Sequence, residues 1–250
     1  MKLKLFVFLF ATMSYVNAFT QPAIKGQKTM GGNNDDEFYS MFLTGDGGMI
    51  IAGVSTSEPS GEKSDYNRGE EDFWIVKLDS QSKIQWDKTI GGNSYDFPTS
   101  IQQTSDGGYI IGGYSHSGIS GEKTQDSRGG SDFWIVKLDA SGNILWDKTI
   151  GGYKDDFLSS IRQTPDGGYI LGGNSYSDIS GEKTENSRGL QDYWIVKLDG
   201  SGNILWDKTF GGSSIDQLAS LELTNDGGYI TGGWSSSNVS GEKTENSRGG

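Results

Sequence analysis

Short apolar stretches alternate with turn residues through most of the chain, and their large residues are mainly β-branched or aromatic. Residues 91–150 contain four such stretches, at 100–104, 109–115, 133–138 and 144–150. Stretches of this length and composition are typical of β-strands. Across 27–250 no stretch places apolar residues at helical spacing, and glycine is too frequent for long helices. The pattern therefore predicts an all-β fold.

The connections between these stretches are of two kinds. Asp106-Gly107 predicts a tight hairpin, because glycine readily adopts the positive φ that such turns need, and Gly142 predicts a second hairpin within 139–143. The other two connections, 115–132 and 151–159, are long. Alternate connections of an up-and-down sheet leave on opposite edges, so both long connections are expected on one side, here called the long-loop face. Binding residues are expected there.

The whole pattern recurs at a constant interval along the chain. Residues 91–150 and 151–210 are identical at 42 of 60 positions without a gap. The units are 31–90, 91–150, 151–210 and an incomplete 211–250, in a repeat region that spans 27–250. Four antiparallel strands at constant spacing are typical of a propeller blade. The prediction is a β-propeller-like array of four-stranded antiparallel blades, about three and a half in number, with a right-handed β-solenoid or a linear array as alternatives.

Three segments of the unit carry a family resemblance. They are DGGYIIGGYS at 106–115, DFWIVKLD at 132–139 and SGNILWDKTIGG at 141–152. They resemble a repeat of large secreted bacterial proteins that often use the type IX secretion route, and the resemblance covers residues 27–250. It implies a secreted or surface-attached propeller and no particular reaction.

The segment at 1–18 has the layout of a signal peptide. Lys2 and Lys4 precede an apolar run at 5–13, and Val16 and Ala18 supply small residues before the expected cleavage site. The run is too short to cross a bilayer. We expect a secreted or outer-surface protein that begins with a short segment at 19–26 and has no membrane insertion after cleavage.

Charge narrows the classes of partner. The formal net charge is −12, or −14 without Lys2 and Lys4 (−12 − 2 = −14). Nucleic acid and anionic membrane are poor partners for such a surface, because both are bound mainly through Lys and Arg. Cations, neutral glycans and basic proteins remain as partners. The chain has no cysteine, which excludes disulfides and thiolate chemistry.

Ligand-binding candidates were sought on the long-loop face. They are Asp96, His116, Glu122, Lys123, Arg128, Asp156, Glu182, Lys183, Arg188 and Trp234. Most are copied in every unit, which favours a structural role: Glu-Arg pairing would order the loop, and the aspartates, expected in the connections between units, would bond nearby backbone. His116 and Trp234 are not copied. Trp134 and Trp146 are expected to pack between blades.

No catalytic residue, cofactor or metal site is assigned. Dense oxygen ligands at 33–37 make calcium a candidate there, but a solvated acidic loop fits better because the cluster is not copied.

The leading functional hypothesis is a noncatalytic module that binds or adheres to a glycan or a protein. The alternatives are the propeller portion of a secreted carbohydrate-active enzyme and a purely structural spacer. Residues 27–30 align with the fourth strand at 87–90, and the last unit lacks its third strand. We expect a further third-strand segment beyond Gly250, and self-association through open strand edges without one.

Overall fold

The computed structural model describes residues 27–248, so the predicted signal peptide and the segment at 19–26 lie outside the described residues. Fourteen strands follow one another: β1 (Asp36–Leu43), β2 (Met49–Ser55), β3 (Asp72–Leu78), β4 (Ile84–Ile90), β5 (Asp96–Gln103), β6 (Tyr109–Ser115), β7 (Asp132–Leu138), β8 (Ile144–Ile150), β9 (Asp156–Gln163), β10 (Tyr169–Ser175), β11 (Asp192–Leu198), β12 (Ile204–Phe210), β13 (Asp216–Leu223) and β14 (Tyr229–Ser235). Residues 27–248 contain no helix, and so no apolar helix long enough to span a membrane. The all-β prediction is confirmed.

The strands form antiparallel sheets in chain order. Blade 1 is β1–β4, blade 2 is β5–β8 and blade 3 is β9–β12, and each is a four-stranded sheet. Blade 4 is the two-stranded sheet β13–β14. The blades form an open propeller-like array, as predicted.

Both tight turns of blade 2 have glycine at the position that needs a positive φ. Gly107 and Gly142 have φ values of 82° and 81°, a region that glycine occupies without strain. In the first turn, Asp106 Oδ1 accepts a hydrogen bond from the Gly108 N–H at 3.0 Å. These turns lie at the edge opposite the long loops, as the alternation of connections requires.

The first strand of each blade is longer than predicted. In blade 2 it begins at Asp96, not at residue 100, so the connection between units shortens to residues 151–155 in the next copy. A bulge between Pro98 and Ser100 interrupts the pairing with β6, and this irregularity hides the strand pattern in the sequence.

The first strands β1, β5, β9 and β13 surround a central space. Hydroxyl groups at the bulges bridge adjacent blades across it: Ser100 Oγ donates to the Ile161 carbonyl at 3.4 Å, and Ser160 Oγ donates to the Leu221 carbonyl at 3.2 Å. An ion pair between Arg162 and Glu222 at 2.5 Å also lies there.

Tryptophans of the third strands form the core between blades. Trp134 and Trp194 are fully buried, and each ring packs on a phenylalanine of the preceding blade: Trp134 on Phe73 at 4.9 Å and Trp194 on Phe133 at 5.0 Å between centroids. The Trp134 indole N–H donates to Asp147 at 3.0 Å. The expected packing of Trp134 between blades is confirmed, and each blade contributes to the core of its neighbour.

Candidate functional site

The long loops are fastened to the preceding blade. Glu122 Oε1 accepts a hydrogen bond from Arg68 at 2.8 Å, and Glu122 Oε2 accepts one from the Gly91 N–H at 3.1 Å. The same contacts join Arg128 to Glu182, and Arg188 to Glu242. Glu-Arg pairing was expected, but the partner is the arginine of the preceding unit and not the one in the same loop. These charged side chains therefore form ion pairs between adjacent blades.

The lysines of the same motif are buried. Lys123 is 1% exposed, and its Nζ donates to Thr149 Oγ1 at 2.5 Å and lies 5.7 Å from the Trp134 ring centre. Burial lowers the pKa of Lys123 to about 8, although the carboxylates of Asp96 and Asp132 oppose that shift. Lys183 has the same position in blade 3, above the Trp194 ring. Neither lysine reaches the surface in the described structure.

The aspartates of the candidate set are also buried. The prediction that Asp96 and Asp156 lie in connecting loops was wrong, because each is the first residue of a strand and is 0% exposed. Asp96 Oδ2 accepts hydrogen bonds from the Gly92 N–H at 2.7 Å and from Ser117 Oγ at 2.9 Å. These contacts hold the connection between units against the segment that follows β6.

His116 and Trp234 are the two exposed members of the candidate set. His116 follows β6, and its Nε2 lies 2.6 Å from Ser131 Oγ. Trp234 is 52% exposed on β14, opposite Gln217 in the strand pairing. The structure does not bring these two together, since they lie on blades 2 and 4.

A row of aromatic rings on the long-loop face ends beside His116. Tyr95 stacks on Phe97 at 6.2 Å, and Phe97 stacks on Tyr114 at 5.2 Å with 23° between the ring planes. Tyr114 meets Phe157 of blade 3 edge-on at 5.0 Å, and Tyr95 meets His116 edge-on at 6.2 Å. Tyr95 is 40% exposed, so the row is open to solvent at this end.

Carboxylates from blade 1 lie beside this row. The Tyr39 hydroxyl donates to Glu37 at 2.8 Å, and that hydrogen bond, with burial and nearby negative charge, raises the pKa of Tyr39 to about 12. Burial, followed by the negative charges of Glu37, Glu70 and Asp35, raises the pKa of Glu71. We call this group the aromatic–acidic patch; it consists of Asp35, Glu37, Tyr39, Glu70, Glu71, Tyr95, Phe97, Tyr114 and His116.

Two tyrosines of blade 2 lie near the carboxylates of blade 1. A hydrogen bond to Glu70 raises the pKa of Tyr95. Burial raises the pKa of Tyr114, and the charge of Glu71 adds to the shift. Backbone hydrogen bonds join the same segments, since the Glu70 N–H donates to the Ser94 carbonyl at 3.3 Å and the Asp96 N–H donates to the Glu71 carbonyl at 2.7 Å. The carboxylates of blade 1 therefore lie next to the rings of blade 2. Ring faces beside carboxylates can bind a cationic group or the face of a sugar.

Sequence reasoning missed the patch because it treated the units as near-identical. Comparison of equivalent positions would have found it. Tyr114 corresponds to Val54, Asn174 and Trp234, and Tyr39 corresponds to Thr99, Ser159 and Ala219. Glu71 likewise has Ser131 and Gln191 as counterparts. Several of the positions that differ between units therefore lie in this patch.

No metal centre is found in the described part of the chain, where no three His, Cys, Asp or Glu side chains lie close enough to hold an ion. In the segment considered for calcium, Asp36 accepts hydrogen bonds from the Gly32 N–H at 2.6 Å and from Ser57 Oγ at 3.0 Å. The Asp36 carboxylate thus has the same two kinds of hydrogen-bond partner as the Asp96 carboxylate of blade 2.

Comparison with known proteins gives limited similarity. No protein-family model matches the chain. Over 194 residues the chain is 25% identical to the regulatory protein FlaEY of Caulobacter vibrioides, and the match covers 72% of this chain. It spans 20% of the length of FlaEY. A solved mutant of the Synechocystis apocarotenoid oxygenase is similar at 13% identity and a TM-score of 0.37, over 71% of this chain and 40% of that one.

Proposed function

We propose that the protein is a noncatalytic binding module of a secreted or surface-attached chain, and that its ligand is a protein with an exposed basic segment. The aromatic–acidic patch is the observation that supports this function. Several of its positions differ between units, whereas the copied charged residues of the long loops pair with one another and hold the blades together.

The charge of the patch favours a cationic ligand. The charges that raise the pKa of Glu71 are those of Glu37, Glu70 and Asp35, all of them negative. Like charges held close together on a folded surface repel each other, and a lysine or arginine of a ligand would relieve that repulsion. The stacked rings of Tyr95 and Tyr114 would add cation–π attraction to the same group.

A neutral glycan is the second candidate ligand. The row Tyr95–Phe97–Tyr114 offers ring faces, and the neighbouring carboxylates could accept hydrogen bonds from sugar hydroxyls. The carbohydrate-active enzyme and the structural spacer remain alternative functions. Asp96 and Asp156 are buried beneath the long-loop face and cannot reach a surface sugar in this structure, which weighs against a catalytic pair built from them.

Binding of an oligolysine peptide, compared with an oligoglutamine peptide and a soluble xylan fragment, tests the proposal. We expect the oligolysine peptide to bind and the double variant Glu37→Gln/Glu71→Gln to weaken binding by about tenfold or more, because the main attraction is electrostatic. Binding should also weaken as salt is raised.

The matched control removes two charges elsewhere. Glu58→Gln/Asp178→Asn alters exposed acids outside the patch and changes the net charge equally. If the control variant lost binding equally, the loss would follow from net charge alone. That result would contradict the proposal that the aromatic–acidic patch is the binding site. Binding of xylan that persists at high salt would favour the glycan candidate instead.

A further inference from the structure

The junctions between blades share one backbone pattern and differ in their side chains. At the junction of blades 1 and 2, the backbone hydrogen bonds from Glu70 to Ser94 and from Asp96 to Glu71 lie on either side of Tyr95. These bonds hold the segment that precedes β3 against the segment that precedes β5. Tyr95 is therefore next to both glutamates.

The junctions of blades 2 and 3 and of blades 3 and 4 repeat the pattern with other residues. The Asp156 N–H donates to the Ser131 carbonyl at 2.7 Å, and the next junction has the equivalent bond. At these two junctions the counterparts of Glu71 are Ser131 and Gln191, those of Glu70 are Gly130 and Leu190, and those of Tyr95 are Asp155 and Ile215. Among the three junctions, the one between blades 1 and 2 alone has an aromatic ring at this position with two carboxylates opposite it.

The ring of Tyr95 is the open end of a stack. Its plane lies 13° from that of Phe97, and the Phe97 plane lies 23° from that of Tyr114. Phe157 meets Tyr114 edge-on, with 88° between the ring planes, and closes the other end of the row. Tyr95 is 40% exposed, with His116 edge-on beside it. A flat group that lies parallel to Tyr95 would extend the row by one layer.

The two glutamates beside Tyr95 are not neutralised by the chain's own cations. None of the ion pairs among residues 27–248 involves Glu70 or Glu71. By contrast, Glu122 and Glu182 of the long loops are both paired with arginines. Burial and the negative charges of its neighbours raise the pKa of Glu71, so a cation placed beside this carboxylate would stabilise its charged form.

We propose, resting on the function proposed above, that the cationic group recognised by the aromatic–acidic patch is the guanidinium of an arginine. The guanidinium lies flat on the Tyr95 ring and donates hydrogen bonds to the Glu70 and Glu71 carboxylates. It is planar and weakly hydrated, and its N–H groups lie in its own plane, so it stacks on a ring and bonds carboxylates beside that ring at the same time. A lysine ammonium is a strongly hydrated point charge with no plane to stack.

Oligoarginine and oligolysine peptides of equal length and charge are the probes, and the full chain is titrated with each by calorimetry. We expect oligoarginine to bind about tenfold more tightly than oligolysine. Tyr95→Leu should lower the affinity for oligoarginine to about that for oligolysine, because the stacking surface is lost while both glutamates remain. This variant is decisive, since arginine pairs better than lysine with carboxylates on any surface.

Three further variants separate stacking from other effects. Tyr95→Phe keeps the ring and should keep the preference for oligoarginine. Tyr153→Leu removes a tyrosine that is 76% exposed in the connection before β9, outside the patch, and should change neither affinity. Glu71→Gln should weaken the binding of both peptides, because the same negative charge attracts both.

The contrary results are distinguishable from one another. Equal affinities for the two peptides, both lowered by Glu71→Gln, would overturn the assignment of arginine and leave the proposed function in place. A preference for oligoarginine that survives in Tyr95→Leu would also overturn the assignment, because the ring would then not be its cause. Absence of binding by both peptides would overturn the proposed function and the assignment together.

Discussion

Buried aspartates face each other across the blade junctions. Asp132 of blade 2 and Asp156 of blade 3 are both 0% exposed, and the Oδ1 atom of each has no hydrogen-bond partner. Burial raises the pKa of both carboxyls to about 6, and in Asp132 the negative charge of Asp156 adds to the shift. A proton on either carboxyl would remove the repulsion between them.

This arrangement predicts a specific pH dependence of stability. The pKa of Asp132 is about 6 in the folded protein and 3.8 in the ordinary carboxyl, so the folded state binds the proton more tightly than the unfolded state does. The free energy of unfolding should therefore decrease as pH rises from about 4 to about 6 and then stay low. The pKa of Lys123, about 8, lies above this window, so its titration adds no slope there.

Asp132→Asn should remove part of that slope. Asparagine stays neutral and keeps an oxygen that can accept the Arg128 N–H. We expect its Tm at neutral pH to exceed that of the wild type by about 2 to 4 °C, and the difference to vanish near pH 4. Thermal melts across this pH range measure it.

The control for this variant is Asp178→Asn, at an exposed loop position that unit four fills with Asn238. An equal rise in its Tm would contradict a role for the buried pair.

The third strands of blades 2 and 3 link each of these blades to the one before it, and their tryptophans make that contact. Trp134 is fully buried against Phe73, and its indole N–H is bonded to Asp147. Trp134→Ala should lower the free energy of unfolding by about 3 to 5 kcal/mol, because the substitution leaves a cavity in the core that two blades share. Urea denaturation measures the loss.

Trp206→Ala is the matched control for Trp134→Ala. Trp206 is 39% exposed and packs loosely on Tyr229, with 6.3 Å between ring centres. Its removal should cost less than half as much, and an equal cost would contradict the assignment of the third-strand tryptophans as the main contact between blades.

The elements themselves were predictable to different degrees. Strands β6, β7 and β8 follow from their alternation and their bounding glycines, and the structure places them within one residue of the expected positions. β5 began earlier than predicted, at Asp96 and not at Ser100. Its bulge breaks the alternation of side chains, so the early part of the strand looks like a loop in sequence.

Among the described residues, blade 4 has the fewest strands and buries few apolar side chains of β14. It has two strands in the described chain, and Ile230, Trp234 and Tyr229 of β14 are exposed. Amide hydrogen exchange should be fastest in β13 and β14 and slowest in β6 and β7, because local opening is easiest where few apolar groups are buried. Exchange measured by mass spectrometry tests this order, and equal protection of the two pairs would contradict it.

The sequence by itself determined the repeat, the strand order within a unit and the packing role of the tryptophans. Each depends on local or periodic signals: turn glycines, alternation of side chains, and identity between units at a constant spacing. The tertiary structure alone decided which copied charges pair, because Arg68 meets Glu122 only after two blades pack together. It also decided that Asp96 is buried and that Tyr39, Glu71 and Tyr114 meet on one surface. These contacts join residues far apart in the chain, and the number of residues between two positions does not tell how far apart they lie in the folded protein.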